Sequence, residues 1–454
     1  MPYKDIREFI DRLESEGELI RVKEELDPRY EISAVFRQLG QKEAPAALIE
    51  RVKGYDIPIV GNLLGTRRRI ALALETDENA ILDKYEKAGR NLTPPVSAKE
   101  APVKQVVHKD EINLLKTMPV LTYHEKDAGP YITQGVIFTK DPETGARSMG
   151  IHRIHIKGKD RLGMYISPRG TMSGAFLLKA DAKGQPFEIA IAIGVDPVIL
   201  LVAGQPMPPS ADKLSFAGGL RGGALELVKA ETVDLEVPAN AMFIIEGKTI
   251  PRLREMDGPF GESTGFYFAL DNPVAEVTAI THQENPIYAI FQPYTVEDFG
   301  LITTFLEPEI YKRCKMLIPS LQDMVMMPPL YSTVIMSIKK GNKWDARTAL
   351  YTVLTMLPIV KYAIVVDDDI DIRDTKEVSW ALYGRFHPDE DLIVVTGLMS
   401  APLAPLSTEE SVGAKMGLDA TKPVEDSEPF AKAIPSADAI NKAAQVLKMY
   451  LQHG

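Results

Sequence analysis

Between about residues 106 and 295 the apolar residues recur at a period of two, in short runs split by turn residues. That texture commits the middle of the chain to β-structure. Arg153-Ile154-His155-Ile156 alternates, as does Glu188-Ile189-Ala190-Ile191-Ala192-Ile193. Residues 241–247, 274–281 and 287–292 read as further strands. Strands so closely spaced belong to a barrel or a sandwich. Helices interrupt near 171–182 and 211–228. On either side the period changes. Ile6, Phe9, Ile10 and Leu13 form one helical stripe, ended by Gly17. Strands at Leu19-Ile20-Arg21-Val22, Ala47-Leu48-Ile49 and Ile57-Pro58-Ile59-Val60 alternate with a helical stretch at 74–89. The fold class is therefore mixed α/β (α+β).

Residues 1–105 read as a small N-terminal α/β domain, with Pro94-Pro95 opening a linker into the β-rich domain 106–300. An apolar helix near 307–316 lies in a connecting segment, 301–328. From 329 the alternation resumes. Ser332–Met336 is a strand, 344–357 a helix and Tyr362–Val366 a strand, giving a second α/β domain to residue 435. Its prolines over 401–435 predict an extended surface arm. The tail 436–454 is a capped amphipathic helix carrying Ile440, Ala443, Leu447 and Leu451. It has either its own chain or a neighbouring subunit to pack on.

With 45% hydrophobic and 25% charged residues the chain has a globular composition. A net charge of −11 argues against a nucleic-acid surface, which needs clustered Lys and Arg. No apolar run is long enough to span a membrane, and the charged N-terminus is no signal peptide. The single cysteine, Cys314, excludes an internal disulfide and points to a reducing cytoplasm.

One short segment stands apart: Asp257-Gly258-Pro259-Phe260-Gly261-Glu262. Proline fixes one φ and the glycines permit conformations closed to other residues, so a pinned, sharply bent backbone is expected. Such a bend holds two acids in one site while giving them different surroundings, and so different proton affinities. The plain alternative is a polar loop with two solvated acids. Arg153, entering a strand, would pair with one acid if the fold brings it near. Other motifs are weaker. The glycine-rich Ser215–Glu226 stretch is not a dinucleotide fingerprint and reads as a loop and helix needing close backbone approach. Asp367-Asp368-Asp369-Ile370-Asp371 lacks the glycine and glutamate of a calcium loop and reads as caps and solvated turns. His152 and His155, three apart in a strand, face opposite sides and do not share a metal.

Taken together, these residues resemble the UbiD-type decarboxylases nearly end to end. The resemblance rests on Asp5-Ile-Arg-Glu-Phe-Ile with Gly17-Glu-Leu-Ile-Arg-Val, Gly150-Ile151-His152-Arg153, and Gly158-Lys-Asp-Arg-Leu-Gly163. It continues through Leu225-Glu226-Leu-Val-Lys, Glu246-Gly247, the Asp257–Glu262 segment, Val366–Asp371 and Trp380-Ala381-Leu382. It implies a central flavin-reductase-like split β-barrel between the two α/β domains. It also implies a prenylated FMN cofactor, supplied by a flavin prenyltransferase, that helps remove or add a carboxyl group on unsaturated and aromatic acids. Arg153, Asp257 and Glu262 match the family's arginine and two acids, with Glu262 as proton donor. Asp257 stands where glutamate is frequent.

Cofactor contacts carry over to Ile151, His152 and Arg153, and further to Ile166, Arg169 and Gly170. The family's metal glutamate falls on Glu226. Its asparagine falls on Ser148, and its histidine within Ser167–Gly170, which has none. A divalent ion (Mn2+ or Mg2+) and K+ are thus only partly provided for, and Arg169 is expected to replace part of the ion's charge. The Ile-His-Arg variant leans toward a small heteroaromatic acid of furan or pyrrole type. Hydroxybenzoates and acyclic unsaturated acids stay open, as do a non-catalytic subunit of a carboxylase assembly and a plain flavin redox protein. A homo-oligomer, dimer or hexamer, is expected.

Overall fold

The computed structural model describes residues 2–42, 44–167, 171–208, 211–327, 332–399, 412–425 and 427–451. It divides into two compact units, one holding residues 1–310 and the other most of the remainder.

In the first unit, helix Ile6–Ser15 starts where the Asp5 carboxylate accepts from the Arg7 amide at 2.8 Å. It buries Ile6, Phe9, Ile10 and Leu13, the stripe read from the sequence. Strand Leu19–Leu26 pairs in parallel with Ala46–Val52, which pairs antiparallel with Ile59–Gly61. The fourth strand of this sheet is Tyr288–Ile290, parallel to Ile59–Gly61. Alternation alone groups 287–292 with the middle strands; pairing returns it to the N-terminal sheet. The helical stretch at 74–89 is broken. Helix Arg67–Ala73 ends before Glu75, whose φ of 48° lies outside helical space, and Ile81–Arg90 starts afresh.

The described residues form a nine-stranded sheet in the middle of the chain. Its order is Tyr131–Ile132, Ile154–Ile156, Arg161–Met164, Tyr267–His282, Phe243–Gly261, Glu188–Ile193, Val136–Lys140, Arg147–Ile151, with Val106–His108 also on Tyr267–His282. These pairings trace an open path, not a closed ring. The long hairpin of Phe243–Gly261 and Tyr267–His282 is its spine. Ile189 to Ile193 are buried on both faces of the sheet, so that strand reads as continuously apolar.

The glycine-rich segment is helix Lys213–Arg221, closed by Gly222 at φ +81°. A Cβ on Gly218 or Gly219 would lie 2.3 or 2.4 Å from a backbone oxygen of Thr93 or Asn91, the close approach its composition suggested. The helix stops earlier than the sequence reading had it. Glu226 opens strand Glu226–Lys229 because the left-handed Gly222 turns the chain away.

The second unit carries a five-stranded mixed sheet in the order Leu321–Met327, Thr333–Ile338, Tyr362–Asp367, Val412–Ala420, Leu392–Met399. Val412–Ala420 falls where an extended surface arm was expected. It is an inner strand instead, parallel to Tyr362–Asp367 and antiparallel to Leu392–Met399. Its glycines hide the strand signal, yet Gly417 is where the Leu350 side chain packs. Its buried Lys415 donates to the Leu354 and Leu357 carbonyls at 2.9 and 2.7 Å, satisfying the end of helix Asp345–Met356. Residues 401–411 lie outside the described ones. The terminal helix spans Ala437–Leu451, with Ile440 and Leu447 exposed. No described helix is long and apolar enough to cross a membrane.

In the acidic run 367–371, Asp368, Asp369 and Asp371 are exposed, and Asp371 accepts from the Arg373 amide at 2.9 Å, as expected of caps and solvated turns; buried Asp367 is the exception. Buried Arg385 donates to Asp367 at 2.9 Å and bidentately to Asp369 at 2.8 and 2.9 Å. Arg385→Leu leaves two acids facing an apolar stub, and should destabilise this unit by about 3–5 kcal/mol in urea unfolding. Adding Asp367→Asn should restore part of that loss. An unchanged midpoint in the single variant would contradict the assignment.

Candidate active site

The Asp257–Glu262 segment is not a free loop. Asp257 to Gly261 belong to strand Phe243–Gly261, and Glu262 begins the turn into the next strand. Asp257 is opposite Leu270 and Phe260 opposite Phe268, so three steps on one strand face two on the other. One extra residue is therefore inserted, a β-bulge at Gly258-Pro259. Side chains alternate along a strand, so residues five apart should point to opposite faces. The bulge removes one step of that parity and brings Asp257 and Glu262 to the same arginine. Gly258 has φ +123°, and a Cβ there would lie 2.4 Å from the Phe268 oxygen, so only glycine fits.

Arg153 stands between the acids. Its Nε donates to Asp257 Oδ2 at 3.2 Å, one terminal nitrogen to the Asp257 carbonyl at 3.2 Å, and the other to Glu262. Asp257 is fully buried and also accepts from Tyr131 Oη at 2.9 Å and Asn272 Nδ2 at 2.8 Å. Its carboxylate is thus held from three sides, and it fixes the guanidinium in turn. The rings of Phe260 and Tyr165 flank the guanidinium at 5.4 and 5.3 Å.

Glu262 has a different environment. Burial raises its pKa, and the Asp257 charge adds to this; the Arg153 guanidinium and its hydrogen bond oppose it without reversing it. Asp298, pushed up to about 6 by its own burial and raised further by the charge of Glu262, bonds the Ser263 side chain beside it. One acid is tied down by donors, and the other is left short of water.

Several residues of this site had no signal in the sequence. Tyr131 sits in a two-residue strand, and Asn272 and Asp298 are single polar residues in ordinary contexts. His155 also arrives here. Its ring stacks on Tyr131 with centroids 4.5 Å apart, and its Nδ1 is 3.5 Å from Asp257 Oδ1. His152 takes a different partner. Its Nδ1 donates to the Tyr165 carbonyl at 3.0 Å, and desolvation lowers its pKa to about 4, so the ring is neutral at physiological pH.

Ile151 and His152 are half-buried beside Arg153, and Ile166 is buried. Arg169 and Gly170 lie outside the described residues. Two cations suit an anionic heteroaromatic cofactor, the Arg153 guanidinium and a desolvated ammonium, Lys213, which bears on the neutral His152 ring; that ring is left with Nε2 as an acceptor. Among the described residues the site does not suit a metal. Ser148 Oγ is engaged with Ser173 Oγ at 3.2 Å, while Glu226 is exposed and meets Asn240 at 3.5 Å. No three metal-ligating side chains converge among the described residues.

Family models for the N-terminal, Rift-related and C-terminal domains of 3-octaprenyl-4-hydroxybenzoate carboxy-lyase match residues 10–88, 95–294 and 301–420. The chain belongs to the UbiD family. A solved UbiD-class structure, HmfF from Pelotomaculum thermopropionicum in complex with FMN, is 38% identical with a TM-score of 0.87, over 97% of this chain and 99% of that one. An evolved dimeric form of HmfF, at 36% identity and a TM-score of 0.84 over 96% and 98% of the two chains, is in complex with prFMN. Vanillic acid decarboxylase from Sedimentibacter hydroxybenzoicus is 31% identical over the full length of both chains, with a TM-score of 0.83. Anhydromevalonate phosphate decarboxylase from Methanothermobacter thermautotrophicus is 33% identical, over 94% of this chain and 98% of that one. The fold is the mixed α/β fold of UbiD-class enzymes.

The bulge is the feature on which this UbiD site depends. Gly258→Ala forces a Cβ onto the Phe268 oxygen in a strained conformation, and should cost about 1–3 kcal/mol of stability. Turnover should fall further than stability accounts for, because Asp257 and Glu262 no longer meet at Arg153. A variant that is destabilised yet fully active at low temperature would contradict the parity argument.

Proposed function

We propose that this chain catalyses reversible, non-oxidative decarboxylation of a small heteroaromatic acid, of furan or pyrrole type, with prenylated FMN. The observation that carries the reading is Arg153 held between a donor-saturated Asp257 and a desolvated Glu262. Prenylated FMN, when bound, supplies a ring that takes up the electron pair left by departing CO2. Arg153 offers the cationic edge against which the substrate carboxylate is oriented, and Asp257, with Tyr131 and Asn272, keeps that edge from turning. Glu262 carries its proton to the carbon that CO2 has left, and receives one back when the reaction runs toward carboxylation.

Ile151, His152, Arg153 and Ile166 line the cofactor's side of the site in this reading, with Arg169 and Gly170 next to them in sequence. Neutral His152 favours an uncharged contact there. Similarity to the vanillic acid decarboxylase keeps hydroxybenzoates as the second substrate class. A non-catalytic role gives no reason for Glu262 to be buried beside Arg153. The cofactor would come from a flavin prenyltransferase. The exposed Ile440 and Leu447 of the terminal helix favour a homo-oligomer, dimer or hexamer, and the single cysteine favours the cytoplasm. A divalent ion or K+ would find Glu226 as its one protein carboxylate, so the reading assigns metal little of the cofactor's retention.

The test combines a variant with a pH profile. Glu262→Gln keeps the shape but has no acid proton, and should lower CO2 release about 100-fold or more with flavin content unchanged. In the wild type, activity should decline as pH rises through the raised pKa of Glu262. His152→Tyr should leave that limb in place, since the imidazole titrates near 4 and is already neutral there. Near wild-type turnover in Glu262→Gln, or a limb that disappears with His152, would refute the donor assignment. A panel of furan, pyrrole, hydroxybenzoic and acrylic acids identifies the substrate.

A further inference from the structure

Lys213 carries an ammonium with no counter-ion among the described residues. It is the first residue of helix Lys213–Arg221, and its Nζ donates to one acceptor, the Ala203 carbonyl at 3.0 Å. That carbonyl ends helix Pro197–Ala203 and offers partial negative charge, but no full charge. Two of the three N–H donors have no protein partner among the described residues. The neighbouring acid cannot serve. Asp212 is taken by Arg147 at 2.9 Å, by Ser215 Oγ at 2.6 Å and by the Leu214 amide at 3.2 Å. Desolvation alone moves the Lys213 pKa, down to about 8, with no carboxylate opposing it. A lysine left this way disfavours the empty protein, so its position calls for an anion that arrives from outside.

Where the ammonium lies narrows the anion. The Arg147–Asp212 pair joins the start of this helix to strand Arg147–Ile151, next to Ser148. Ser148, Ser173 and Thr139 make a chain of hydroxyls there, with oxygen contacts of 3.2 and 3.1 Å. Ser173 lies in the first turn of helix Met172–Ala182, which Thr171 caps. The same strand leads into His152 and Arg153, where the ring of the cofactor is expected.

We propose that Lys213 receives the phosphate of the flavin cofactor, and that its fixed charge takes the place of a divalent ion at that end of the site. The proposal rests on the flavin reading above. Substrate carboxylate is the other source of an anionic oxygen, and the experiment separates the two.

The full-length protein, stripped of flavin, is titrated with FMN and with riboflavin, which has the same ring and no phosphate; flavin fluorescence gives both affinities. Lys213→Met should weaken FMN binding about ten- to hundredfold and leave riboflavin within about twofold. Lys213→Arg should recover much of the loss. The flavin-free Met variant should melt no lower than wild type, because a desolvated, half-buried charge with no ion-pair partner among the described residues has been removed; this excludes misfolding as the cause. Dialysis against chelator should leave FMN affinity unchanged. Equal effects on FMN and riboflavin, no effect on either, or loss of FMN on chelation would overturn the proposal. It would also fall if Lys213→Met altered only competition by furan-2-carboxylate. Failure of the wild type to bind either flavin would overturn the flavin reading and this proposal together.

Discussion

Arg153 bound to two acids across a strand bulge is the interaction on which the rest of the site depends. Arginine is the residue for this place. Its planar fork meets Asp257 with a side-chain and a backbone acceptor while a third nitrogen reaches Glu262. Lysine would offer one point charge and no such division. The two acids then separate by environment. Asp257 takes donors from Tyr131, Asn272 and Arg153; Glu262 has the guanidinium but is stripped of water and faces the charge of Asp257. The bulge at Gly258-Pro259 makes the division possible, by cancelling the strand parity that would otherwise turn one acid away.

Asp257 and Glu262 stood out in the sequence because of the backbone chemistry between them, whereas Arg153 had no local signal and was named by the family resemblance. Two glycines and a proline between two acids form a local signal. The physical form was not legible. A pinned turn and a bulged strand have the same composition, and only the pairing with Leu270 and Phe268 distinguishes them. The supporting groups were hidden for another reason. Tyr131, Asn272, His155 and Asp298 act through positions far apart in the chain, and nothing local marks them.

Elements with clean periodicity were read well: the stripe of Ile6, Phe9, Ile10 and Leu13, and the alternation of Glu188–Ile193. Tertiary context overrode the sequence where small residues or short runs weakened the pattern. Val412–Ala420 is an inner strand despite its glycines, because buried Lys415 and the close approach of Leu350 fit it to helix Asp345–Met356. Tyr288–Ile290 has the texture of the middle strands but finds its hydrogen bonds beside Ile59–Gly61. Asp367 and Asp369 found Arg385, while Asp368 and Asp371 stay exposed.

The central claim is that Glu262 holds a proton under conditions in which an ordinary glutamate does not. Infrared difference spectroscopy across a pH titration reads this directly, through the carbonyl stretch of a protonated carboxyl group, with Glu262→Gln as the blank. The account predicts a band absent from the variant, persisting above the pH at which free glutamate ionises and disappearing as pH rises further. A Glu262 band that vanishes in the ordinary glutamate range, or no band distinguishing the two proteins, would contradict it.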